Sequence, residues 1–287
     1  MANNIDSVEK QIDLANAQWA HIAPGKVVVA TDERAWVYQP RSEGDRFAQP
    51  MTGSGSFATT GKLLDTAIAA AKHTVNSEVK PPPLTSTRWI WRLASAYHLT
   101  CDIPQLITEA AKGFAANNLD QLEAWALEKA EEEKDHDRLA LLDIQSYGYD
   151  AEAVVKALIP PAAVALIDYL KRSVRDSNPF DCVGYTYTME RLSLGIGKEY
   201  IQKVEALLPR GVKATRSLRV HSSIGADAEH VGENIALIAG LSASERSRIA
   251  RACYETALML FSPTPGEYIT DAEIQQIIEP FKIEGNG

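Results

Sequence analysis

Glu131-Glu132-Glu133-Lys134-Asp135-His136 is the stretch that decides how this chain is read. It lies within a run of helical periodicity from Asp120 or its neighbour to about Tyr147, carrying Trp125, Leu127 and Leu139 and stopped by Gly148. Residues three apart on a helix share a face, so Glu133 and His136 can point at one ion. Glu132, four residues before His136, is the alternative carboxylate. Alone, such a run also fits a solvated acidic face, so the reading turns on whether other helices supply further ligands.

Two other segments offer them. Gly184-Tyr185-Thr186-Tyr187-Thr188-Met189-Glu190 sets one carboxylate in an apolar, aromatic stretch of a helix predicted from Tyr185 to about Leu208. A carboxylate there must be exposed, paired or metal-bound. His221-Ser222-Ser223-Ile224-Gly225-Ala226-Asp227-Ala228-Glu229-His230 repeats the three-residue carboxylate-imidazole spacing at Asp227 and His230, on a helix predicted from Lys213 to about Leu241. Carboxylates and neutral imidazoles without cysteine suit iron or manganese. Asp143, seven residues after His136, is a candidate partner for a ligand. Tyr185 and Tyr187 are candidate pocket walls, with core packing as their plainer role.

The 287 residues suffice for one large domain or two modest ones. Hydrophobic residues at 45% and charged residues at 23% are ordinary for a globular protein. A net charge of -9 argues against sequence-independent nucleic-acid binding and against docking to an anionic membrane. Cys101, Cys182 and Cys253 form no Cys-x-x-Cys, which fits a reducing compartment. With no basic-then-apolar leader and no apolar run of about 18 residues, the expected location is cytoplasmic.

Val8, Ile12, Ala15 and Trp19 suggest a short amphipathic helix from Ser7 to Trp19. Lys26-Val27-Val28-Val29-Ala30 and Ala35-Trp36-Val37-Tyr38 read as a hairpin or extended arm. Gln39 to Gly61 reads as a loop, and its glycines lack the Lys-Ser/Thr ending of a phosphate-binding loop. A helix is predicted from near Lys62 to about His73, before the Pro81-Pro82-Pro83 break. From Thr85 the pattern is almost wholly helical, through a long helix capped by Ser244 to about Phe261 and an amphipathic tail around Ala272 to Phe281. The expected class is all-α, with residues 1–84 as an irregular N-terminal extension and 85–287 as the helical bundle carrying the site.

Taken in order, Glu133-x-x-His136 with Asp143, Gly148 and Tyr149, then Gly184-Tyr185-x-Tyr187-x-x-Glu190, then His221 ahead of Asp227-x-x-His230, resembles the haem-oxygenase-like diiron oxidases and oxygenases. These iron-containing redox enzymes share a fold with thiaminase II and pyrroloquinoline-quinone synthase. The resemblance covers roughly Trp89 to Phe261. It implies a haem-oxygenase-like bundle of about seven core helices. It implies Glu133, His136, Glu190, His221, Asp227 and His230 as ligands of two iron ions, manganese being the alternative, with O₂ and a small molecule as substrates. The implied reaction is N-oxygenation or oxidative C–C cleavage of an amine or amino-acid-like molecule in specialised-metabolite biosynthesis. No nucleic-acid or membrane partner is implied, and a homodimer is allowed for.

One spacing departs from the family's pattern. Its third motif usually sets the first histidine four residues before the aspartate, whereas His221 precedes Asp227 by six and Ser223 holds the expected place. On one regular helix His221 would face away from His230. Either a π-bulge or a break around Gly225 re-aims it, or it is not a ligand. Three other readings stand beside the diiron one. A ferritin-like carboxylate bundle would recruit Glu109. A metal-free enzyme of the thiaminase II type would need an activated cysteine, Cys182 being nearest to a motif. A non-enzymatic helical protein would bind a partner through its N-terminal arm.

Overall fold

Val27-Val28-Val29-Ala30 is the middle strand of a three-stranded antiparallel sheet, one strand more than the expected hairpin. The computed structural model describes residues 14, 16–75, 80–222, 227–262 and 264–283, with the backbone alone at 227–229. Strand β1 (Gln18–Ala23) pairs with β2 (Lys26–Ala30), and β2 with β3 (Ala35–Tyr38), so that Val28 faces Ala20 on one side and Val37 on the other. The apolar run is continuous because both faces of β2 are covered. Val28 and Ala30 enter the main core, whereas Val27 and Val29 pack with Trp19, Phe47 and Met51. The helix expected up to Trp19 is therefore corrected at its end, where Gln18 and Trp19 gain backbone partners in β1; residues 1–13 and 15 lie outside the described ones.

The remainder is helical: α1 (Phe57–Thr74), α2 (Ser86–Thr100), α3 (Ile103–Ala116), α4 (Asp120–Glu132), α5 (His136–Gln145), α6 (Ala151–Ala157), α7 (Pro161–Val174), α8 (Phe180–Ser193), α9 (Lys198–Leu207), α10 (Arg216–Val220), α11 (Asp227–Ala239), α12 (Ala243–Phe261) and α13 (Asp271–Ile278). Helix α1 starts five residues before Lys62 because Ser56 and Thr59 form a reciprocal cap. Ser242 and Glu245 do the same for α12, which moves its cap from the expected Ser244. No single helix among the described residues is long and apolar enough to cross a membrane.

Three helices expected to be continuous are broken, each beside a candidate ligand. Asp120 to Tyr147 divides into α4 and α5 at Asp135, which takes a left-handed conformation (φ 62°) that aspartate tolerates better than most residues. Three carboxylates at the negative end of the α4 dipole disfavour its continuation. Tyr185 to Leu208 divides into α8 and α9 across Gly195 and Gly197, residues costly inside a helix. Lys213 to Leu241 divides into α10 and α11, with residues 223–226 outside the described ones.

Two cores result. The main one joins the inner face of the sheet to α1, α3, α4, α7, α8 and α12, and the second joins α2, α5, α6 and α13 around Trp89, Trp91, Ile144 and Ile274. Arg246 on α12 is fully buried and ties the sheet to the bundle, its guanidinium donating to Gln18 Oε1 at 2.8 Å, to Gly53 O at 2.9 Å and to Leu241 O. Helix α8 crosses α12 at Gly184, where an added Cβ would lie 2.6 Å from both Ala252 Cβ and the Ile249 carbonyl oxygen. Because one obstacle is backbone, Gly184→Ala is expected to cost about 1–3 kcal/mol by forcing the helices apart. A urea midpoint unchanged from the parent would contradict that close approach.

Candidate metal site

The break between α4 and α5 folds Glu133 and His136 together without a helical turn. Glu133 is the residue that ends α4 and His136 the first of α5, and His136 Nδ1 lies 2.8 Å from Glu133 Oε2. His221 ends α10 with dihedrals outside the helical region (φ −93°, ψ 63°), so its register relative to His230 is not that of one helix. Its ring meets that of His136 edge-on, with centroids 4.7 Å apart. Glu133, His136 and His221 each offer a ligand atom within 4.8 Å of the others'. Burial opposes ionisation of Glu133, but the hydrogen bond with His136 and the charges of His221, His136 and Lys129 prevail, holding its pKa below the ordinary value.

A different network holds Glu190, which the family resemblance makes a ligand. Glu190 Oε1 is 3.0 Å from Lys129 Nζ, and Glu190 Oε2 accepts from Asn234 Nδ2 at 2.5 Å. Lys129, one turn before Glu133 and 4% exposed, also pairs with Glu132 Oε2 at 2.7 Å. Glu132 Oε1 in turn lies 3.4 Å from His230 Nε2. Burial works against the Lys129 charge, yet Glu190 and Glu132 outweigh it and raise its pKa above the ordinary value. Glu190 and His230 thus stand outside the Glu133–His136–His221 group, Glu190 being paired with Lys129 and His230 lying beside Glu132. The side chain of Asp227 lies outside the described residues.

Both networks face a cavity of about 710 Å³ at the junction of the two cores. Lys129, Glu133, Glu190, His221 and Tyr185 form its polar wall, and Leu93, Leu99, Ile107, Leu218 and Phe261 are among its apolar ones. Tyr185 is buried, and its hydroxyl has no hydrogen-bond partner among the described residues; burial and the nearby Glu133 charge raise its pKa. Tyr187 is corrected from pocket wall to core: two positions beyond Tyr185 on α8 put it about 200° round the helix, where its hydroxyl donates to Asp65 at 2.8 Å beside the Asp65–Arg191 pair. Tyr187→Phe is expected to cost about 1.5 kcal/mol or more, since the acceptor is charged, whereas Tyr185→Phe leaves stability within about 0.5 kcal/mol. Equal losses in urea unfolding would mean that Tyr185 is satisfied as Tyr187 is.

Asp143 serves the site at one remove. Fully buried, it accepts from the Ser217 N–H at 3.1 Å and from Arg216 at 2.9 Å, which holds the start of α10 and hence the position of His221. Burial raises its pKa despite these donors. Reading the sequence missed Lys129 and Asn234; the signal available was that Lys129 lies four residues before Glu133, on the same face. Glu109 faces away, into a surface groove with Lys112, which removes the ligand a ferritin-like set would need. Cys182 is fully buried with its pKa raised by desolvation, and it does not line the cavity, so it lacks the activation a thiaminase-like nucleophile requires.

No protein-family model matches this chain, and no curated protein does. A solved structure similar to it is the crystal structure of a domain of unknown function with a heme oxygenase-like fold from Shewanella denitrificans OS217, at 23% identity over 76% of this chain and 88% of that one, with a TM-score of 0.49.

Proposed function

We propose that the chain is a non-haem iron enzyme that activates O₂ against a small molecule bound in the cavity, with Glu133, His136 and His221 as the ligands of the iron. The observation that carries this reading is their convergence from two helix breaks, with Glu133 and His221 on one cavity wall and His136 against both. Two imidazoles and one carboxylate with positions left open are the donor set of non-haem ferrous oxygenases, and no thiolate competes. When bound, ferrous iron supplies the electrons that reduce O₂.

The chain's own residues shape what can react. Apolar side chains from α2, α3 and α12 line much of the cavity, so a substrate filling it would displace water and strengthen the polar contacts inside. The Tyr185 hydroxyl is available to donate to a substrate beside Glu133. Arg92 lines the same cavity with an exposed side chain, and its planar guanidinium matches a carboxylate. An amino-acid-like substrate, with an apolar body and an acid end on Arg92, suits this lining better than a plain amine. Oxygen uptake by the ferrous-loaded protein, with and without a panel of amino acids, tests the reading: uptake should exceed that of free ferrous ion and vanish in Glu133→Ala. Uptake no faster than free ferrous ion across the panel would sink it.

A further inference from the structure

We propose that the Lys129 ammonium stands where a second metal ion would, so that the chain holds a single divalent cation, at Glu133, His136 and His221. The inference rests on the metal reading above and deepens it by fixing the number of ions. Glu132 and Glu190 converge on the Lys129 Nζ at 2.7 and 3.0 Å, and Glu132 also meets His230 Nε2 at 3.4 Å, so the cation these carboxylates hold is the ammonium; only Glu133, His136 and His221 gather their ligand atoms round one point among the described residues. Lys129 is 4% exposed, so its ammonium is held among these carboxylates rather than in bulk water.

The other oxygen of Glu190 is committed as well. Trp125 Nε1, which can only donate, reaches Asn234 Oδ1 at 2.6 Å and so fixes the orientation of that amide. Its NH₂ then faces Glu190 Oε2, and an amide NH₂ offers no lone pair to a metal. Lys129 and Asn234 both donate to Glu190, and the first of them is charged. A divalent ion at Glu190 would meet an ammonium as its neighbour, at the cost of like-charge repulsion in a buried setting. Glu133 is held differently: its hydrogen-bond partner is the His136 imidazole, with the His221 ring close by, and an imidazole can turn a lone pair to an ion.

The test is anaerobic titration of the full chain, stripped with chelator, using Mn²⁺ read by calorimetry, metal analysis and electron paramagnetic resonance. The parent should take up one ion per chain with the spectrum of an isolated ion, and Lys129→Met should take up two with the spectrum of a coupled pair. Glu190→Gln, which keeps size and the Lys129 contact, should still bind one and serves if Lys129→Met does not fold. Two ions in the parent, or one ion lost in Glu190→Gln, overturn the inference while leaving the metal reading intact. Lys129→Met remaining at one ion also overturns it. No ion in the parent overturns the metal reading itself.

Discussion

Replacing His221 by alanine is expected to lower the affinity for Mn²⁺, Co²⁺ or Fe²⁺ by at least about 100-fold while leaving the protein folded. Losing a group that merely orients a metal ligand typically costs 10–100-fold, so losing one of three ligands should cost no less than about the upper end. What remains, Glu133 with His136, is a two-donor site, and such sites are common without any ion. The structural cost should be small because His221 sits at the end of the five-residue α10, outside helical dihedrals and only partly buried. Calorimetry with Co²⁺, alongside Glu109→Ala as a control on the opposite face of α3, separates the outcomes. Unchanged Co²⁺ affinity in His221→Ala would remove the third ligand and return Glu133–His136 to an ordinary ion pair.

The second large effect concerns folding. Glu190→Ala should destabilise the chain by about 3 kcal/mol, near the lower bound for breaking a buried ion pair, because Lys129 loses its more buried carboxylate and keeps only the partly exposed Glu132. The Asn234 amide loses its acceptor at the same time. Combining Glu190→Leu with Lys129→Met removes both charges and should recover most of that loss, since buried pairs replaced by apolar side chains of similar volume are often neutral or better. Urea midpoints at unchanged slope measure both proteins. Additive losses in the double variant would show that the two side chains act independently and that their 3.0 Å contact carries little energy.

These expectations show where the chain was legible. The all-α class followed from periodicity after Thr85, and two strands of the sheet were visible as Val27-Val28-Val29-Ala30 and Ala35-Trp36-Val37-Tyr38. β1 was hidden because Gln18-Trp19-Ala20-His21-Ile22-Ala23 follows a helix-like spacing of apolar residues, and only pairing with β2 decides between the two. The candidate site was half visible. The spacing of Glu133 and His136 was informative even though its helical rationale fails, since the two meet across a break at Asp135. His221 looked out of register only because one helix was assumed from Lys213 to Leu241, and the end of α10 removes that assumption. The partners of Glu190 were not legible: Lys129 is 61 residues away in sequence, and a lysine in an acidic run reads as surface until packing shows it 4% exposed.

The most direct measurement of the central claim is anomalous diffraction at the manganese edge from crystals grown with Mn²⁺. One strong peak is expected, at about 2.0–2.3 Å from Glu133, His136 and His221, a span typical of metal bonds to imidazole and carboxylate. A peak seated between Glu190 and His230, or none above noise at saturating Mn²⁺, would contradict the account.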